Sequence, residues 1–164
     1  MDLRMYKIKA LVFINLLMFS SVGVAMSIFD AGKAYLFSEV SGIVTHEGKA
    51  VTGAKVIRKY EMNKLVEEET TTDSEGRFSF PAVRGRSISQ VFPAEFVAAQ
   101  KILVEHDGEE VDIWSNSKRS PEENSELGGD ALDFTCELTD ERTLYRDFGA
   151  ILFTRCKWKV QQSE

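Results

Sequence analysis

The sequence predicts an all-β protein with the architecture of an antiparallel Greek-key β-sandwich. Three observations support this prediction: short segments in which apolar and polar residues alternate, Gly and Asp turns between the segments, and β-branched residues within them. Alternation with a period of two places one set of side chains in a core and the other in solvent. Several short strands at close spacing are typical of a sandwich.

The first predicted strands lie within residues 40–80. They cover residues 40–44, 54–60, 65–72 and 77–80. Asp73 precedes Gly76 in a predicted turn, where the carboxylate caps the backbone and glycine adopts a positive φ. Phe78 and Phe80 are two residues apart, so both side chains point to one face of their strand and enter the same core.

The same region resembles a known family. The pattern SGIVT followed by GKAVTGAKV, and then TTTDSEGRFSF, resembles the transthyretin-like module, also called the carboxypeptidase regulatory-like domain. The matching residues are Gly42, Val44, Gly53, Ala54, Val56, Thr70, Thr72, Asp73, Gly76, Phe78 and Phe80. Residues 36–158 also resemble small uncharacterised bacterial proteins that carry this module at their front. The resemblance implies a sandwich fold and no site residues.

The second half of the chain contains a predicted hairpin and two later strands. Asp107-Gly108 separates two alternating segments, a strong hairpin signal, and pairs Ile102 and Val104 with Val111 and Ile113. Residues 132–138 and 150–158 are predicted to form one strand each, and residues 115–130 a long exposed loop. Long loops on sandwiches often carry binding sites.

Five residues are candidate binding residues. Arg84 and Arg86 flank Gly85, and two such guanidinium groups suit a phosphate or carboxylate, although exposed loop charge is the commoner role. Trp114 stands at the base of the predicted loop, where a core position competes with a ligand platform. Lys118 and Arg119 lie within the loop.

The amino terminus predicts export. Arg4, Lys7 and Lys9 precede an apolar run that ends in small residues near Ala25, which is typical of a cleaved signal peptide. An uncleaved membrane anchor and translation from Met26 are the alternatives. The predicted organisation is a signal peptide over residues 1–25, a lead-in over 26–37, a sandwich over 38–160 and a tail over 161–164. We expect a periplasmic or secreted protein that contacts the membrane only if the signal is uncleaved.

The two cysteines, Cys136 and Cys156, are predicted to form one disulfide in an oxidising compartment. Arg155 and Lys157 flank Cys156, so a reactive thiol with a lowered pKa is the alternative. The separation of 20 residues corresponds to a stabilisation of about 3 kcal/mol in the loop-entropy account.

The sequence predicts neither an enzyme nor a cofactor. His46 and His106 lie in separate predicted turns, and no metal-ligand spacing, nucleophile elbow or phosphate-binding loop appears. The net charge of −6 argues against binding to nucleic acid. Removing residues 1–25, which carry net +2, would leave −8 on the mature chain.

These observations predict a non-enzymatic exported protein that binds another protein or a glycan through its loops. A narrower hypothesis is an immunity or inhibitor protein that captures a basic effector, because complementary charge speeds association. The alternatives are an accessory module of a surface or secretion assembly that adds an edge strand to a partner sheet, and a carbohydrate-binding module. The last requires Trp114, Tyr145 and Trp158 to line one exposed platform.

Overall fold

The computed structural model describes residues 33–86 and 95–159, which form an all-β fold, as predicted. The predicted signal segment, residues 26–32 of the lead-in and the tail lie outside the described residues. The strands are β1 (Lys33–Phe37), β2 (Val40–His46), β3 (Lys49–Ala50), β4 (Lys55–Glu61), β5 (Leu65–Thr71), β6 (Arg77–Phe80), β7 (Val83–Arg86), β8 (Ala98–His106), β9 (Glu109–Lys118), β10 (Leu132–Glu137), β11 (Thr143–Tyr145), β12 (Leu152–Thr154) and β13 (Cys156–Trp158), and a short 3-10 helix covers Ser125–Leu127.

The strands form two main sheets and one small sheet. One main sheet has six strands in the order β11-β12-β9-β8-β4-β5, and the other has β13-β10-β2-β3 with β6 also paired to β2. In the small sheet β1 pairs with β7. Neighbouring strands are antiparallel throughout the described pairs except β2 and β10, which run parallel.

The core lies between the two main sheets. The alternation predicted for β6 is confirmed, because Phe78 and Phe80 are buried while their neighbours are exposed. Trp114 of β9 stacks on Phe134 of β10, with ring centroids 5.4 Å apart, so an aromatic pair joins the sheets. The burial of large aromatic side chains is a main stabilising contribution in a domain of this size.

The turn before β6 has the predicted chemistry. The carboxylate of Asp73 accepts hydrogen bonds from the backbone of Glu75 and Arg77. Gly76 has a φ of 75°, and a Cβ at this position would lie 2.5 Å from the carbonyl oxygen of Val44. Only glycine fits this turn without strain.

The lead-in, whose local structure the sequence left open, contains a strand, β1, whose Phe37 is fully buried. Two predictions of local structure need correction. In the β8–β9 hairpin Val104 pairs with Val111 as predicted, but a bulge pairs Ile102 with Trp114 rather than with Ile113. Residues 150–158 form two strands in different sheets, because the chain bends at Arg155.

The region predicted as an exposed loop over residues 115–130 also differs. Strand β9 continues to Lys118, and the side chain of Lys118 and that of Glu126 are buried. The sequence is rich in turn residues here, yet distant residues fix the segment against the sandwich, as described below.

A disulfide joins Cys136 and Cys156, which face each other across the β10–β13 pair. The predicted pairing is therefore present in the structure. Across the described ranges, no helix has the length and apolar character needed to cross a lipid bilayer.

Candidate functional site

A buried ion pair holds the segment 119–130 against the sandwich. The Nζ atom of Lys118 donates a hydrogen bond to Oε2 of Glu126 at 2.6 Å, and both side chains are at most 1% exposed. The ammonium group also donates to the Glu122 carbonyl and the Ser125 hydroxyl. Burial lowers the pKa of the Lys118 amine, and the Glu126 charge opposes this shift.

The carboxylate of Glu126 has all of its remaining acceptor positions occupied by distant parts of the chain. Ser38 donates to it from both its backbone nitrogen and its hydroxyl, at 3.0 and 2.8 Å. The amide of Gln100 donates at 2.8 Å. A buried charge is tolerated only with such partners, so we assign Lys118 and Glu126 a structural role.

The five candidate binding residues do not meet at one site. Trp114 is fully buried in the core and Lys118 in the ion pair, so neither is presented to a partner. Arg84 and Arg86 are exposed on β7, where the Arg84 guanidinium lies 4.7 Å from the ring centroid of Tyr35. Arg119 forms an exposed ion pair with Glu95.

A shallow apolar trough crosses the outer face of the six-stranded sheet, opposite the core. We call it the outer trough. Its volume is about 390 Å³. Its floor includes Ala99 on β8 and Ser115 and Ser117 on β9, which are neighbours in the sheet register, and Lys101 of β8 stands beside Ser115. Because these three side chains are small, the floor lies below its surroundings.

Larger apolar side chains form the two walls of the outer trough. Leu65 on β5 stands on one side, and Ile151 and Phe153 beside and on β12 stand on the other. Their exposed fractions are 55%, 46% and 39%. Isolated exposed apolar residues are ordinary, but several that line one concavity indicate an interaction surface.

Beside the apolar side chains this outer face carries charged ones, several of which form ion pairs. Lys55 pairs with Glu105 at 2.6 Å, and Lys59 pairs with Glu67 at 3.0 Å. The hydrogen bond to Glu67 raises the pKa of the Lys59 amine. Ile57, two residues from both Lys55 and Lys59 on β4, is only 2% exposed. The outer trough is therefore the part of this face where apolar side chains are exposed.

Sequence reasoning missed a buried arginine in the core. Arg58 is 0% exposed, lies over the rings of Phe37 and Phe80 at 5.3 and 4.6 Å, and hydrogen-bonds Glu68 and the Pro81 carbonyl. The signal was its place between Val56 and Tyr60 on the core-facing side of β4, where alternation requires a buried side chain.

The exposed aromatic platform that glycan binding would require is not formed by Trp114, Tyr145 and Trp158. Trp114 is buried far from any exposed position, whereas Tyr145 and Trp158 have ring centroids 5.1 Å apart and are packed partly against the core. The three aromatic residues therefore do not line one exposed surface.

Comparison with known proteins gives a family without an assigned activity. No curated protein matches the chain. The solved structure of a 9R-lipoxygenase from Cyanothece PCC8801 is similar at 12% identity and a TM-score of 0.29, over 79% of this chain and 20% of that one. The chain thus spans about a fifth of the lipoxygenase, and so low a TM-score carries no argument. Residues 40–141 match the domain of unknown function DUF6795, and the chain belongs to that family.

Proposed function

We propose that this protein is a non-enzymatic exported binding protein whose outer trough holds an amphipathic helix of a basic partner. The observation that carries the proposal is the trough itself, with small residues in its floor and the exposed side chains of Leu65, Ile151 and Phe153 in its walls. Recognition through the segment 115–130, which the sequence favours, is less well supported because that segment is packed down by Lys118 and Glu126.

The width of the outer trough favours a helix as the occupant. Its walls stand on β12 and β5, which are four strand positions apart in the sheet. With about 4.8 Å between strands, the wall backbones are roughly 19 Å apart. A helix with its side chains is about 10–12 Å across, so it fits between the walls, and its apolar stripe then meets the floor.

Charge favours a basic partner. The chain carries a net charge of −6. Glu61, Lys59 and Lys101 are the charged side chains that line the trough, and the two lysine charges are paired with Glu67 and Asp112. An acidic protein associates faster with a basic partner.

A narrower form of the proposal is an immunity or inhibitor protein that neutralises a basic toxin acting in the envelope. Deleting the gene should then sensitise cells to toxin-producing sister cells.

The fold relationship supports the same class of function. We propose that the domain is related to the transthyretin-like sandwich, on the support of the Asp73–Gly76 turn and the two buried phenylalanines of β6.

The alternative function, in which the protein adds an edge strand to the sheet of a partner, is disfavoured. Strand β5 is the long edge of the six-stranded sheet, and its three glutamates, residues 67–69, discourage edge pairing.

The proposal is tested by site-specific photocrosslinking in envelope fractions. A photoreactive phenylalanine analogue in place of Phe153 should crosslink to a basic, amphipathic helical segment of one partner, whereas the analogue at Ser79 should not. Ser79 is exposed on β6 of the other main sheet and does not line the trough. A crosslink to a second copy of the chain, or to a segment without an apolar stripe, would overturn the proposal.

Binding to the identified partner is then measured with serine substitutions. Leu65→Ser and Phe153→Ser should each weaken binding by about tenfold or more, since burial of a large apolar side chain is worth about 1.5–3 kcal/mol. Thr135→Ser, at an exposed position on β10 of the other main sheet, is the control and should leave the affinity unchanged. Equal losses in all three variants would place the contact surface outside the outer trough.

A further inference from the structure

Two hairpin turns bring the two histidines of the chain together at one end of the sandwich. His46 ends β2 and His106 ends β8, and each is followed by an acidic residue and a glycine. The imidazole ring centroids are 4.7 Å apart, with the ring planes inclined at 62°. Sequence reasoning placed them in separate turns and therefore did not predict this contact.

Both turns have left-handed backbone conformations. Glu47 and Asp107 have φ values of 51° and 52°, and the glycines that follow them also have positive φ, as two-residue hairpin turns require. The carboxylate of Glu137 accepts hydrogen bonds from the backbone nitrogens of Glu47 and Gly48 at 3.0 Å each. The histidine of the first turn is thus held on a rigid support.

One imidazole nitrogen has an unmet bonding capacity. Nε2 of His106 is buried and makes no hydrogen bond with the residues that the structure describes. The carboxylate of Asp107 lies 3.4 Å from it, without hydrogen-bond geometry. Buried polar atoms in native proteins are nearly always satisfied, so an unpaired nitrogen of this kind points to a missing partner.

The cavity around the histidines is acidic. It has a volume of about 520 Å³ and is lined by Glu47, Glu105 and Asp107 as well as both histidines, with Lys49 as the opposing charge. Glu105 is also paired with Lys55. Three carboxylates around two imidazoles create an environment that attracts a cation.

We propose that His46 and His106 together chelate one divalent transition-metal ion, with water completing the coordination sphere. Imidazole suits Cu²⁺, Ni²⁺ and Zn²⁺, and Cu²⁺ binds most tightly to a given set of nitrogen ligands. Two imidazoles that share an ion, each with its nitrogen about 2.1 Å from the metal, have ring centres roughly 5 Å apart, close to the separation seen here. Within the described ranges no group of three His, Cys, Asp or Glu side chains is placed to hold a metal, so the protein supplies two ligands.

The test uses the full chain, purified without a polyhistidine tag and titrated with Cu²⁺ and Zn²⁺. We expect one ion per chain, tighter binding of Cu²⁺ than of Zn²⁺, and a pulsed EPR spectrum of the copper-loaded protein that shows two imidazole nitrogens. Because the chain has only two histidines, this count identifies both ligands. A spectrum with one imidazole or none would overturn the proposal, whatever the affinity.

Substitutions give an independent measurement. His46→Asn and His106→Asn should each weaken Cu²⁺ binding by tenfold or more, while Glu123→Gln, an exposed glutamate outside the histidine cavity, should leave it unchanged. Far-UV circular dichroism and the urea midpoint establish that each variant is folded. Unchanged binding in both folded histidine variants would contradict the shared site.

Discussion

The Nζ atom of Lys118 lies 2.6 Å from Oε2 of Glu126, and the pair is closed off from solvent on the core side of β9. This contact converts the most polar stretch of the chain into a packed part of the domain. The outer face of the six-stranded sheet, by contrast, leaves Leu65, Ile151 and Phe153 exposed.

Removing one partner of this ion pair should lower the free energy of unfolding substantially. Lys118→Met leaves the Glu126 carboxylate buried without its counter-charge, and we expect a loss of about 3–5 kcal/mol in the free energy of unfolding. Urea denaturation followed by tryptophan fluorescence measures it. Arg119→Met, which breaks the neighbouring exposed pair with Glu95, is the control and should cost no more than about 1 kcal/mol.

Arg58 should not be replaceable by lysine. Its planar group both donates to Glu68 and the Pro81 carbonyl and lies over aromatic rings, which an ammonium group on a flexible stem does not reproduce. We expect Arg58→Lys to lower the free energy of unfolding by about 1–3 kcal/mol. Lys59→Arg, on the exposed side of the same strand, should change it by less than about 0.5 kcal/mol.

The stability of the domain should depend on Glu137 in acid. Partial burial acts to raise the pKa of Glu137, but hydrogen bonds from Thr139 and Gly48 outweigh it and hold the pKa well below its ordinary value of 4.5. The unfolded chain therefore binds this proton first, so the stabilisation is complete above the unfolded pKa and is lost as the pH falls through the folded pKa.

Glu137→Gln should accordingly flatten the decline in unfolding free energy as the pH falls below 4.5. Denaturant titrations at several acidic pH values measure this slope. Glu109→Gln serves as the control and should keep the wild-type slope. The same steep decline in Glu137→Gln would show that other carboxylates dominate acid unfolding.

Two glycines with nearly equal backbone angles should respond differently to alanine. Gly48 and Gly76 have φ values of 74° and 75°, so both substitutions are strained. A Cβ at Gly48 meets open space, whereas at Gly76 it lies 2.5 Å from the carbonyl oxygen of Val44. We expect Gly48→Ala to cost about 1 kcal/mol and Gly76→Ala distinctly more, measured by thermal unfolding. Equal costs would mean that β2 shifts freely to make room.

Removing the disulfide should reduce stability substantially. The double variant Cys136→Ala/Cys156→Ala frees a loop closed over a sequence separation of 20 residues, and we expect a loss of about 3 kcal/mol in the free energy of unfolding. Reduction of the wild-type protein should reproduce the loss. If the alanine variant matched the oxidised wild-type protein in its urea midpoint, the crosslink would have no stabilising role.

Strand β6 and the turn before it were predictable because their signals are local. Alternation places Phe78 and Phe80 in the core, and the Asp73–Gly76 turn follows from the preferences of two residues. The buried state of Lys118 was not predictable in this way, since it depends on Glu126, which in turn depends on Ser38, 88 residues away in sequence.

The outer trough left a weaker signal in the sequence. Phe153 and Ile151 are apolar residues on the outward side of a strand pattern whose inward side, Leu152 and Thr154, is already buried. Apolar residues on both faces of a strand indicate that the outward face also has a contact to make. That Leu65 faces them across the three strands β9, β8 and β4 requires the sheet order, which no local pattern supplies.

The disulfide encloses one wall of the outer trough. Residues Ile151 and Phe153 belong to the stretch that leaves β10 at Cys136 and returns through Arg155 to Cys156. One wall of the outer trough is thus carried by a stretch of chain that the disulfide closes into a ring. Under reducing conditions that ring is open, so we expect reduction to loosen the positions of Ile151 and Phe153 and to weaken any binding at the trough.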